Sequence, residues 1–293
     1  MDLKLPKPGF WMGAVLALMV VGIQISLSIP LALIDELFTK ALQLPAPGLP
    51  QNPWAISLVN IIAFGGAIAL GLVLNRLSFW KAYAFSPPRL LQIICMIVMV
   101  LGADVLLSEA DNVFRSVLPP PEFLREALKE VFSGEGDLIS RIFLLVVVAP
   151  ITEELLFRGL ILRGLLSRFS PTMAILLTGL LFGAVHVNPW QFISATCLGL
   201  IFGWLYVRTG KLLLAILAHA LSNGIFVAVS AMSFDVPGLT TEPEPGHVVF
   251  QPWWLDLSGL AALSLAAFAF HLLTRKTLSM PETVQDTNRS SPR

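Results

Sequence analysis

The chain has 293 residues, of which 56% are hydrophobic and only 13% charged, and its 19 Lys and Arg balance 19 Asp and Glu. A mean hydropathy of +0.79 means far more apolar surface than one soluble core of this size needs, so lipid is the expected solvent. Zero net charge with a pI near 6.9 provides no basic field for nucleic acid, which is set aside as a partner.

A window of about 20 residues, the length that crosses a bilayer as a helix, finds eight apolar spans. They are Gly9–Ile34, Ala55–Leu74, Leu90–Ser108, Ile142–Leu166, Thr172–Val187, Phe192–Val207, Leu212–Phe234 and Trp254–Leu273. The first follows Lys4 and Lys7, but its apolar run is too long for a signal peptide and no A-x-A site follows, so it is read as a retained helix. Between the third and fourth spans lies a mixed, mostly acidic stretch, Glu109–Asp137. Within it, Phe123, Leu124, Ala127, Leu128 and Val131 of Pro121–Phe132 share one helical face, which predicts an amphipathic helix on the membrane surface or, more plainly, a solvated loop helix. Cys95 and Cys197 fall in apolar stretches and are read as small hydrophobes. Residues 280–293 are polar and read as a disordered tail. The expected fold is all-α, a polytopic transmembrane bundle of about eight helices. It forms one membrane domain over 1–279, with its polar motifs gathered in 142–234.

Charge in the connections tests that count, because Lys and Arg collect in short cytoplasmic loops. Lys4/Lys7, Arg76/Lys81/Arg89, Arg163/Arg168, Arg208/Lys211 and Arg275/Lys276 all thread to one face. Asp35/Glu36, the Glu109–Asp137 stretch and Asp235/Glu242/Glu244 reach the other, so both termini are predicted to be cytoplasmic. Trp11, Trp54, Trp80, Trp190, Trp253 and Trp254 sit near span ends, as an aromatic belt requires.

Charged and polar groups inside the spans are costly without a partner or a function. The fourth span holds Glu153, Glu154 and Arg158, the fifth His186, and the seventh His219 and Asn223. Helical geometry puts Glu154 and Arg158 on one face, while Glu153 is turned about 100° away. Glu154 is therefore the expected ion-pair partner of Arg158, a structural role. Glu153 is left to cap a neighbouring helix or, facing His186 in a dry cavity, to serve as a general base. His219 and Asn223 project side by side. They suit an oxyanion on an amide carbonyl, or else plain interhelical hydrogen bonding. Gly199 and Gly203 in the sixth span are spaced to let helices approach closely.

Glu153-Glu154-x-x-x-Arg158, Phe182-x-x-x-His186 and His219-x-x-x-Asn223, in that order, resemble the three motifs of the CAAX prenyl-protease and bacteriocin-processing (CPBP, or Abi) family of intramembrane proteases. The resemblance spans Glu153 to Asn223. It implies that Glu153 and His186 activate a water for attack on a peptide carbonyl, that His219 and Asn223 stabilise the oxyanion, and that Glu154, Arg158 and Phe182 support the site. It also implies a peptide or lipidated protein substrate in contact with membrane lipids, in a multi-pass protein of a bacterial inner membrane. A zinc ion held by Glu154, His186 and His219 is the alternative route to the same hydrolysis, since relatives have been described as metalloproteases. Against zinc, there is no H-E-x-x-H. An ion or proton transporter using the same buried groups, and a catalytically silent scaffold, are the readings from other classes.

One geometric difficulty accompanies this reading. At about 1.5 Å of rise per residue, straight helices put His219 roughly 12 Å, Glu153 roughly 20 Å and His186 roughly 25 Å from the cytoplasmic side. A tilt, a different starting residue or a broken helix is needed to bring them together.

Overall fold

The computed structural model describes residues 9–83, 85–126, 138–230, 236–241 and 248–275. Among the described residues there are eight principal helices and no strand. They are α1 (Phe10–Glu36), α2 (Pro53–Leu74), α3 (Leu90–Val117), α4, α5 (Pro171–Ala184), α6 (Pro189–Thr209), α7 (Leu212–Ser230) and α8 (Trp253–Leu273). Helix α4 is an unbroken helical run that alternates between α and π winding through Leu138–Ile142, Phe143–Val148, Ala149–Glu154, Leu155–Leu162 and Arg163–Leu165. Six helices, α1, α2, α3, α6, α7 and α8, are long and apolar enough to cross a membrane, and α5 is a shorter apolar helix. The chain is an integral, multi-pass membrane protein with the expected all-α bundle.

Local sequence explains where the helices start. Asn52, Ser170 and Asn188 each precede a proline and cap the helix that follows, with side-chain oxygens accepting from Trp54 N at 3.0 Å, Met173 N at 3.3 Å and Trp190 N at 3.1 Å. The cap satisfies a free first-turn donor, and proline at the first position has none to lose. Helix α6 ends at Gly210, whose φ of 67° is the left-handed cap that glycine adopts without strain.

Several boundaries differ from the sequence expectation. Helix α1 runs through Pro30 and continues as a π segment, Leu37–Ala41, as membrane helices can when neighbouring groups absorb the lost bond. Helix α3 extends to Val117, where loop was expected, because its polar last turns pair internally: Asn112 Nδ2 donates to Glu109 Oε2 at 3.0 Å and Arg115 pairs with Asp111. Arg208, placed in a loop by its charge, is buried in the last turn of α6. There it donates to Thr274 Oγ1 and the His271 carbonyl, both at 3.0 Å, and caps the end of α8. Of the predicted surface helix, residues 122–126 are helical; the remainder, and the tail 280–293, lie outside the described residues.

Helix α4 is the hub, packed against α2, α5, α6 and α7, while α1 packs on α2 and α8 on α3. Two apolar clusters fill the interior. One joins α1, α2, α4 and α5 around Leu16, Phe64, Phe157 and Phe182, and the other joins α3, α6, α7 and α8 around Met99, Phe202, Leu214 and Phe270. Small residues set the spacing, because backbones approach closely only where no side chain intervenes. Helices α5 and α6 meet through Gly179, Gly183 and Gly199. Of the expected Gly199/Gly203 pair, Gly199 lies against Gly179 and makes the tighter contact, while a Cβ on Gly203 would stand 3.4 Å from the Ile175 side chain of α5. A Cβ on Gly183 would overlap Thr196 Oγ1 and lie 2.8 Å from the Phe192 carbonyl. Gly183→Ala is therefore expected to destabilise the protein by about 1 to 3 kcal/mol, the range for overpacking, read as a lower thermal midpoint in detergent. Gly203→Ala serves as the control, and an unchanged midpoint in Gly183→Ala would contradict the packing described.

Candidate active site

The fourth span's charges are buried at the seam between the two apolar clusters. Arg158 and Glu154 have no exposed surface. Arg158 Nη1 donates to Glu154 Oε1 at 2.7 Å, and Nη2 donates to the Gly199 carbonyl at 2.8 Å. The guanidinium carbon lies 4.6 Å from the centroid of the Phe182 ring and 5.5 Å from that of Phe202. Ion pair, carbonyl and two aromatic faces thus share a charge that would otherwise cost several kcal/mol in a dry interior.

His219 joins this network. Its Nδ1 lies 3.1 Å from the same Glu154 Oε1; a carboxylate only accepts, so Nδ1 carries the proton and Nε2 is the open nitrogen. The ring stacks on Phe202 at a centroid distance of 5.2 Å and an angle of 22°, and meets Phe182 edge-on at 5.6 Å. Glu154 therefore does more than neutralise Arg158, because it also orients an imidazole from another helix.

Glu153 behaves differently from its neighbour. It is 8% exposed, and its Oε2 is buried with no hydrogen-bond partner among the described residues. Glu154 Oε2 and Arg158 Nε are likewise unpartnered. Buried polar atoms are nearly always satisfied, so three orphans at one place mark a site whose purpose is something other than stability.

His186 departs most from the expectation. Helix α5 ends at Ala184, and His186 sits in the turn beyond it rather than within the span. Its Nδ1 donates to the Phe182 carbonyl at 2.9 Å, leaving Nε2 open, and its ring abuts Phe182 at 5.4 Å. The next residue, Val187, has a φ of 51°, a conformation that a β-branched side chain adopts only under strain. Strain of about 1 to 3 kcal/mol persists where surrounding contacts impose it, commonly at functional sites. Here Asn188 starts α6 immediately, and the Trp190 indole N–H is tied to the Leu118 carbonyl at 2.7 Å.

Asn223 lies one turn from His219 on α7, but its Nδ2 donates to the Leu145 carbonyl at 2.7 Å, in the π-wound part of α4. The site thus brings Glu154, Arg158, Phe182 and His219 into one connected cluster, with His186 against Phe182 and Asn223 against α4. No hydrogen bond among the described residues joins Glu153 to His186. Among the described residues no group of three His, Cys, Asp or Glu is placed to hold a metal ion.

Three contributions went beyond the sequence motifs. Phe202 of α6 appears in the sequence only as part of an apolar helix, and Gly199, expected for close helix approach, also accepts from Arg158. Gly159 receives the Tyr83 ring, which a Cβ there would strike. Burial raises the Tyr83 phenol above its ordinary pKa. A fourth feature lies nearby: Asp104 of α3 accepts from Ser222 at 2.8 Å and has a buried, unpartnered Oδ2.

Residues 135–225 match the family described as Type II CAAX prenyl endopeptidase Rce1-like, and these residues include every motif position from Glu153 to Asn223. The chain is 32% identical over 95 residues to the Bacillus subtilis protein named "Putative membrane peptidase YdiL", covering 31% of this chain and 39% of that one. It is 38% identical over 88 residues to an Escherichia coli "Uncharacterized 24.3 kDa protein", covering 28% and 41%. It is also 22% identical over 169 residues to the Lactococcus lactis "UPF0177 protein YxdF", covering 57% and 89%. The chain thus spans about two fifths of the length of the first two relatives. No solved structure matches it significantly. The family match is thus confined to the segment that carries the motif residues.

The Arg158 site predicts a sharp difference between cations. Lysine is a single point charge and cannot bridge Glu154 and Gly199 as a planar fork does. Arg158→Lys should lower stability, and Arg158→Ala should cost about 3 to 5 kcal/mol by leaving Glu154 buried without its cation. Denaturant unfolding in detergent gives the order; equal stability of the three proteins would contradict a buried ion pair.

Proposed function

We propose that this chain is an intramembrane peptidase acting on a membrane-associated or lipidated, CAAX-like peptide. The observation that carries the reading is the division between two adjacent glutamates: Glu154 is bonded to Arg158 and His219, while Glu153 keeps a buried, unpartnered oxygen beside them. The family match over residues 135–225 and the printed name of the B. subtilis relative support it.

In this reading Glu153 accepts a proton from a water whose oxygen attacks the scissile carbonyl carbon, and His186 orients that water through its open Nε2. The carbonyl oxygen becomes an oxyanion facing His219 and Asn223. Because His219 Nδ1–H is given to Glu154, its Nε2 donates to the oxyanion only when the ring carries both protons. Asn223 has a second amide hydrogen beyond the one given to Leu145. Collapse breaks the C–N bond, and the proton held by Glu153 passes to the leaving nitrogen, giving a carboxylic acid and an amine. No step is routed through a metal, for which the side chains do not converge. The distribution of Lys and Arg supports an orientation with both termini in the cytoplasm.

The test is cleavage of a panel of fluorogenic peptides, prenylated and plain, by the purified full-length chain in detergent, with and without a zinc chelator. Glu153→Gln should lower turnover by at least about 100-fold, the scale of losing a general base, and chelator should leave the wild type unchanged. Wild-type turnover in Glu153→Gln would remove this glutamate from the chemistry. Activity abolished by chelator and restored by zinc would favour the metal route instead.

A further inference from the structure

The contacts of α6 carry an inference that rests on the peptidase reading and extends it. We propose that Phe202 is a positioning residue for His219: its ring face, together with the Glu154 carboxylate, fixes the direction in which Nε2 points.

An imidazole held only by Nδ1–H to Glu154 Oε1 at 3.1 Å can swing about that bond and sweep Nε2 through an arc. A flat contact removes this freedom. The Phe202 ring lies 22° from parallel to the His219 ring at 5.2 Å between centroids, and Phe202 is fully buried, so it has no room to move away. The edge-on contact from Phe182, at 5.6 Å and 82°, closes a second side of the imidazole. Bond, face and edge together leave one orientation.

The same helix controls the partner of that bond. Gly199, three residues before Phe202 and on the same face, accepts from Arg158 Nη2 at 2.8 Å, while the Arg158 guanidinium lies 5.5 Å from the Phe202 centroid. One face of α6 thus holds the guanidinium that sets Glu154 and the ring that sets His219. An aliphatic side chain of similar volume would fill the space but offer no plane. Phe202 touches neither substrate nor reacting atoms in this scheme; it acts through His219.

Phe202→Leu and Phe202→Tyr in the full-length chain test this by two separate readouts. The first is NMR of protein labelled at histidine, with the His219 signals assigned by their loss in His219→Gln. Phe202→Leu should abolish the ring-current displacement of the His219 carbon-bound protons and alter the Nδ1/Nε2 pattern, and Phe202→Tyr should retain both. The second is peptide cleavage. Phe202→Leu should lower kcat by about 10- to 100-fold, as loss of a supporting contact does, with KM unchanged, and Phe202→Tyr should restore it. If the leucine variant does not fold, Phe202→Met replaces it. Unchanged His219 signals, or wild-type kcat in a folded Phe202→Leu protein, would overturn the positioning role while leaving the peptidase reading intact. A wild type that cleaves nothing would count against the peptidase reading, and the NMR comparison would still decide on Phe202.

Discussion

The buried charge of Arg158 is the constraint on which the rest of the interior depends. A guanidinium cannot be neutralised by losing a proton, so a membrane protein that keeps one in its core must supply partners for it. Those partners come from three helices: Glu154 one turn earlier on α4, Gly199 of α6, and the ring faces of Phe182 on α5 and Phe202 on α6. Each of them has a second task. Glu154 binds His219, Phe182 contacts both histidines, and Gly199 lies where α5 and α6 touch. Satisfying one cation therefore fixes the relative placement of the elements that bear the candidate catalytic groups.

A network of this kind gains little as a stability device, since a buried ion pair often does no better than apolar residues of the same size. Its value lies in uniqueness of arrangement. Helices in lipid have no hydrophobic force to drive them together and rely on close packing and directional bonds. Glycine contacts between α5 and α6 provide the first, and the Glu154–Arg158–His219 chain provides the second. Glu153 lies outside that chain of bonds, and its buried Oε2 has no partner among the described residues.

Much of this was legible in the sequence because membrane burial makes polar residues conspicuous. The eight apolar segments, the i, i+4 pairing of Glu154 with Arg158 and the separate orientation of Glu153 follow from hydropathy and helical geometry alone. What escaped was information that apolar residues do not advertise. Phe202 reads as one more core aromatic, and Gly159 as ordinary small-residue filling, until the structure shows what each touches. Arg208 misled for the opposite reason. Charge argues for a loop, yet its long side chain reaches the carbonyl end of α8 and is satisfied there. His186 was assigned to a helix because the apolar run continues to Val187, yet its four-residue spacing from Phe182 also fits a turn in which Nδ1 bonds the Phe182 carbonyl.

Two of the helices that bear motif residues depart from ideal α geometry. Helix α4 widens into π turns on both sides of Ala149–Glu154, the segment that carries the two glutamates. Each widening shifts the register and leaves carbonyls for other donors, as at Leu145, which accepts from Asn223. Such insertions are uncommon and concentrate at functional sites. Helix α5 contributes by ending early, so that His186 is carried on a strained turn rather than at the depth a continuous helix would dictate. Hydropathy sees neither event, because π and α turns use the same apolar residues. The cluster therefore draws its groups from the π-wound α4 and the end of α5, with His219 supplied by α7 and its stacking partner Phe202 by α6.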